Sequence, residues 1–226
     1  MNRAAVFILL ASTVLAAAAS GGTIHDIRTG LVPAGSEVSI SGAVVTALFE
    51  QGVVVGEPSG GPYRSVWVWL GESPAVAVGD LVEILGTYVV DHDRDMISLV
   101  FPPDAHLTVV GTATPPVVEV TVADLLADPE AWESTRVHVT DGLIVQEVHE
   151  GGEWIVASYE TGDLLTLFDY YHLFPDVHVA ECYNNADGVF FYYGGQHLLK
   201  ALAVEPVDCA VPAERLGFGH VKSLYH

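Results

Sequence analysis

Basic residues are what this sequence has least of: two Lys and six Arg stand against 29 Asp and Glu in 226 residues, for a formal net charge of −21. Phosphate binding draws on cations that release counterions, so this balance argues against a basic nucleic-acid binder. Cysteine is nearly absent, with Cys182 and Cys209 alone, which excludes a small disulfide-stapled scaffold. The longest apolar stretch, residues 4–19, has 16 residues, whereas a membrane-spanning helix needs about 20. There is no G-x-S-x-G elbow, no P-loop and no HExxH zinc motif. Half of the residues are hydrophobic, which excludes a disordered tail and leaves room for one or two packed domains.

That apolar stretch follows Arg3 and ends in small residues, Ala16 to Ser20. A short positive region, an apolar run and a small-residue cleavage site make residues 1–20 a signal peptide. The expected address is outside the cytoplasm, periplasmic or extracellular, with no stable membrane span in the mature chain. Export bears on the cysteines, since an oxidising compartment favours pairing them. The apolar run Val189 to Tyr193, the turn Gly194-Gly195-Gln196 and the run His197 to Val204 read as a β-hairpin whose turn lies midway between Cys182 and Cys209. A Cys182–Cys209 disulfide is expected. A zinc site is not, because no second CxxC or nearby His pair completes one.

Beyond the signal, short apolar stretches alternate with Gly, Pro and Asp. Strands are expected at Glu37 to Leu48, Gly52 to Val55, Ser65 to Leu70, Leu81 to Val90 and Met96 to Val100. Only Asp124 to Trp132 and Ile24 to Leu31 read as helical. The chain is all-β, and it repeats. Thr23-Ile24-His25-Asp26-Ile27 matches Thr121-Val122-Ala123-Asp124-Leu125 at an offset of 98. Val38 to Gly42 matches Val137 to Asp141, and Ser65 to Trp69 matches Leu164 to Phe168, both at 99. Gly79 to Val82 answers Pro175 to His178 at 96, which sets Glu181-Cys182 beside Leu85-Gly86. A period of this length is one whole small domain rather than a solenoid unit. The divisions are therefore 21–111, a Pro-stiffened linker at 112–116, 117–212, and a short C-terminal helix or tail at 213–226.

The strings TIHDI, VSISGAVVTALFEQGVVVGEPSGG, SVWVWLG and AVGDLVEILGTYV resemble the bacterial OB-fold domain found beside the nuclease domain in secreted nucleases. The resemblance covers nearly all of 23–208 and implies two tandem five-stranded OB-fold-like barrels. In each, the first strand bends round a corner at a Gly or bulge such as Gly42. The second copy carries Asp141 in place of that Gly. The family also suggests single-stranded nucleic acid as ligand, but residues 23–113 carry a net −8 and residues 114–212 a net −15. A field of that sign repels a polyanion, and single-strand binders need a basic groove beside their stacking aromatics.

The aromatics are the remaining candidates. Trp67 and Trp69 lie two apart on a strand and share a face, while Val66, Val68 and Leu70 share the other. An aliphatic interior leaves both indoles outward, on the face that OB barrels use for ligands. Phe168 repeats Trp69, and Tyr170 follows it. These four form a candidate ligand platform; the same rings could instead pack between the two barrels or under a loop. Asp91-His92-Asp93-Arg94-Asp95 starts like a calcium loop but has Met96 where Gly is needed and Pro102 where Glu is needed. It reads as a solvated hairpin turn. The ten His are scattered, so no metal and no cofactor are assigned. The expectation is a secreted, non-catalytic binding or assembly module for a glycan, peptide or protein partner. The alternatives are an accessory single-stranded nucleic-acid binder for extracellular nuclease activity and a metal-dependent hydrolase using acidic pairs such as Asp91 and Asp93.

Overall fold

The computed structural model describes residues 20–91, 94–98, 104–174 and 176–209. The signal segment up to residue 19, the pair His92–Asp93 and the tail 213–226 lie outside the described residues. In chain order the first half holds β1 (Ser20–Gly21), α1 (Ile24–Arg28), β2 (Glu37–Phe49), β3 (Gly52–Gly56), β4 (Ser65–Trp69), β5 (Asp80–Asp91), β6 (Arg94–Ser98) and β7 (His106–Thr112). The second half holds β8 (Val118–Val120), α2 (Val122–Ala127), α3 (Pro129–Trp132), β9 (Thr135–Val139), β10 (Leu143–Val148), β11 (Glu153–Ser158), β12 (Leu164–Phe168), β13 (Cys182–Tyr193) and β14 (Gln196–Val207).

Each half closes into a five-stranded barrel. In the first, the order is β2-β3-β4-β6-β5, and β5 returns to pair with β2. In the second, β10-β11-β12-β14-β13 closes through β13 onto β10 and β9. All these pairings are antiparallel except β4 with β6 and β12 with β14. The two barrels therefore share one Greek-key connectivity, that of an OB-like fold, and the chain is two tandem all-β barrels. Val38, Ile40, Val66, Val68 and Ile84 fill the first core. Val137, Val139, Trp154, Leu165 and Leu167 fill the second.

Local sequence explains the corners and caps. In β2 the ladder shifts register between Ser41 and Ala43, at Gly42, whose φ of 74° suits a residue without Cβ. The second barrel breaks its first strand instead, between β9 and β10. Asp141 is buried at the break, and its carboxylate accepts the Val122 N–H of α2 at 3.0 Å. Both one-turn helices begin with the same capping box. Thr23 and Thr121 accept the N–H of Asp26 and Asp124 at 3.1 Å, and each Asp accepts its Thr N–H at 2.9 Å. Those threonine hydrogen bonds hold both Asp carboxyls below the ordinary carboxylate range. The helix expected over Asp124 to Trp132 is two short pieces, because Pro129 starts a new one at its first position.

One sequence correspondence needs correction. Val38 pairs with Gly86, and Val137 pairs with Gly188, so Gly188 is the counterpart of Gly86, and the fourth strands match at an offset of 102. The match of Gly79–Val82 with Pro175–His178 falls ahead of β13, as does Glu181 set against Leu85. The physical reason is the connection 169–181 between β12 and β13, three residues longer than 70–79 between β4 and β5.

Cys182 and Cys209 are bridged, with Cα atoms 5.4 Å apart. Cys182 stands opposite Val207 in the β13–β14 ladder, two residues before Cys209. The hairpin turns on Gly194 and Gly195, with φ of 62° and 89°, the pair of positive values a two-residue type I′ turn requires. Reduction is expected to destabilise the protein by about 2–4 kcal/mol, read as a lower melting temperature on adding a phosphine reductant. An unchanged melt would show that strand pairing alone holds this end of the barrel. No helix among the described residues is long and apolar enough to cross a membrane.

Candidate binding cleft and the aromatic seam

The alternation Ser-Val-Trp-Val-Trp along β4 divides its side chains between two surfaces. Val66 and Val68 are fully buried in the barrel, and the two indoles point outward. The rows continue across the sheet, since Trp67 is level with Met96 and Val89, and Trp69 with Ser98 and Thr87. Trp67, Trp69, Val89, Met96 and Ser98, with Val90, Asp91 and Gln51 from the β2–β3 turn, line an open cleft of about 540 Å³ on the outside of the first barrel. Among the described residues its lining combines two indoles, a thioether and two valines with one amide, one hydroxyl and one carboxylate. That is the pattern of a small-molecule site: a mainly apolar wall with a few placed polar groups.

The two Trp have different surroundings. Trp69 is half-buried at the cleft. Trp67 is only 8 % exposed and packs edge-on against Phe49 at 4.9 Å and Phe191 at 5.7 Å. Phe191 belongs to the second barrel, so Trp67 both borders the cleft and joins the barrels. The connection 169–181 completes the joint. Tyr170 meets Phe49 at 5.3 Å, and the Tyr171 hydroxyl donates to the Leu48 carbonyl. Burial pushes the Tyr171 hydroxyl up to about 12, so it remains a neutral donor. Phe168, level with Glu153 as Trp69 is with Gly52, touches Tyr170 at 6.1 Å and stacks on Tyr193 at 6.3 Å. Three of the four aromatic candidates thus gather in one seam, and Trp69 packs against its edge.

At the centre lies a residue that the pattern reading missed. Lys200 is 5 % exposed, and its ammonium sits 4.3 Å from Phe49, 4.4 Å from Tyr170, 4.1 Å from Phe191 and 5.6 Å from Tyr193. All are within cation–π range, so one cation ties rings from both barrels. The signal was present in the sequence as a single Lys inside the apolar run Leu198 to Val204. A second grip is polar. Arg28 donates to Glu133 at 2.9 Å, with side chains 1 % and 0 % exposed, and Tyr63 donates to Asp128 at 2.9 Å. That hydrogen bond raises the Tyr63 pKa. Nearby, burial holds the His197 imidazole below its usual value.

Three of the cations are thus committed to structure. Arg28 and Lys200 are buried and Arg64 pairs with Glu57, while Arg136 is half-buried in β9. Asp91 and Arg94 face each other where β5 turns into β6; His92 and Asp93 are outside the described residues. Among the described residues no group of three or more His, Cys, Asp or Glu is placed to hold a metal ion. No family model, no curated protein and no solved structure matches this chain.

Proposed function

We propose that this chain is an exported, non-catalytic binding module that holds an uncharged glycan in the Trp69 cleft. The observation that carries the reading is the cleft itself, whose lining brings the Trp69 indole together with Gln51, Ser98 and Asp91. A pyranose ring presents C–H groups on one face, which suit an indole, and hydroxyls at its rim, which suit an amide, a hydroxyl and a carboxylate. The field of a chain with net charge −21 favours a neutral ligand over a polyanion. The disulfide fits an oxidising compartment, as the signal-like first segment does.

Calorimetric and tryptophan-fluorescence titrations with neutral β-1,4-linked oligomers of glucose, N-acetylglucosamine and xylose test this. Saturable binding to at least one series is expected. Trp69→Ala should weaken it roughly five- to 150-fold, the equivalent of about 1–3 kcal/mol for a ligand ring stacked on an aromatic side chain, without lowering the melting temperature by more than a few degrees. Silence toward all three series would overturn the glycan reading. Quenching by mixed-sequence single-stranded DNA that vanishes with added salt would replace it with the nuclease-accessory one.

A further inference from the structure

We propose that the ligand is a linear polysaccharide which runs from the Trp69 cleft across the seam to a second contact at Phe168 and Tyr193 on the other barrel; this rests on the glycan reading of the cleft. Three observations carry it. First, the barrels repeat, and their ladders place Phe168 where the first barrel has Trp69, so each barrel sets an aromatic ring at the same outer position. Second, Tyr193 is 54 % exposed beside the tight Gly194-Gly195 turn. Its ring lies within 10° of parallel to the half-buried Phe168, which holds the exposed Tyr193 ring in one orientation.

Third, the two ends are joined by ring contacts rather than by a loop. From Tyr193 the chain of contacts passes through Phe168, Tyr170 and Phe49 to Trp67, each step between 4.9 and 6.3 Å. Trp67 itself lines the cleft. The Lys200 ammonium lies against three of these rings, Phe49, Tyr170 and Tyr193, and against Phe191, which ties one barrel to the other. A ligand long enough to touch both ends then binds two sites already held in place. Its second contact is intramolecular and adds affinity without a second loss of translational freedom. A short ligand reaches one end only.

The experiment is calorimetry on the disulfide-bonded protein with the same three oligomer series, each from dimer to octamer. Affinity is expected to rise by at least about tenfold between the shortest and longest members of a bound series, a modest gain for two linked contacts. Tyr193→Ala should flatten that rise, whereas Trp69→Ala should lower binding at every length. Tyr193 is exposed and Trp69 half-buried, and melts of the two variants check that they fold. Affinity that does not depend on length, or a rise that survives Tyr193→Ala, overturns the two-barrel track and leaves the cleft reading standing. No binding at any length overturns the cleft reading first. A length dependence seen only with single-stranded DNA, and lost with salt, overturns both in favour of nucleic acid.

Discussion

Glu133→Ala is expected to destabilise the protein by about 3–5 kcal/mol, because it leaves the Arg28 guanidinium buried without its carboxylate partner. The two side chains are 1 % and 0 % exposed and meet at 2.9 Å. Arg28 also donates to the Glu130 carbonyl, so the guanidinium is held in place and cannot swing out to water. For a chain of this size each kcal/mol moves the melting temperature by roughly 2–4 °C. The melt should therefore drop by roughly 6–20 °C. Replacing both partners by apolar residues, Arg28→Met with Glu133→Leu, should recover most of the loss, since a buried pair is worth little more than well-packed hydrophobes. The shortfall of the double variant measures the coupling. A Glu133→Ala protein that melts like its parent would show that this ion pair adds nothing to the joint between the barrels.

That pair also shows why parts of this molecule could be read in advance and parts could not. Strand position follows from period-two alternation, and β2 to β6 lie within a few residues of the expected runs. The disulfide follows from hairpin symmetry, and the inward valines of β4 from the need to fill a narrow barrel. These are local properties. The seam is not local: Arg28 and Glu133 are 105 residues apart, and each reads in the sequence as an ordinary charge on a short helix or its flank. Phe49 and Tyr193 end their strands and carry no period that distinguishes a joint from a surface. The longer connection 169–181, which brings Tyr170 and Tyr171 to the first barrel, was hidden because an approximate match at a shorter offset absorbed its extra residues. The repeat defined two barrels correctly; how one docks on the other is decided by side chains outside the repeat.

Gly52→Ala should be the most damaging small substitution at the cleft. A Cβ built there would lie 2.3 Å from the Val68 carbonyl oxygen and 2.8 Å from Cζ2 of Trp67. The oxygen belongs to β4, which is paired with β3 in an antiparallel ladder with Val53 opposite Val68 and Gly52 opposite Trp69, so it cannot retreat without opening the ladder. The indole cannot retreat either, because Phe49 and Phe191 stand against it. Overpacking a rigid site commonly costs about 1–3 kcal/mol and more where backbone must move; here about 3 kcal/mol or more is expected. The second barrel supplies the control. Glu153 is level with Phe168 as Gly52 is with Trp69, and Thr166 stands where the first barrel has Trp67. This position carries a side chain in the second barrel, so Glu153→Ala should change stability by no more than about 0.5 kcal/mol. Thermal melts of the two variants decide the matter. Equal, small effects would mean that Gly52 is not needed for close approach. A large loss at Gly52 alone would tie this glycine to the close approach of the Val68 carbonyl and the Trp67 indole, and glycan titrations of the surviving fold should then show the Trp69 cleft weakened with it.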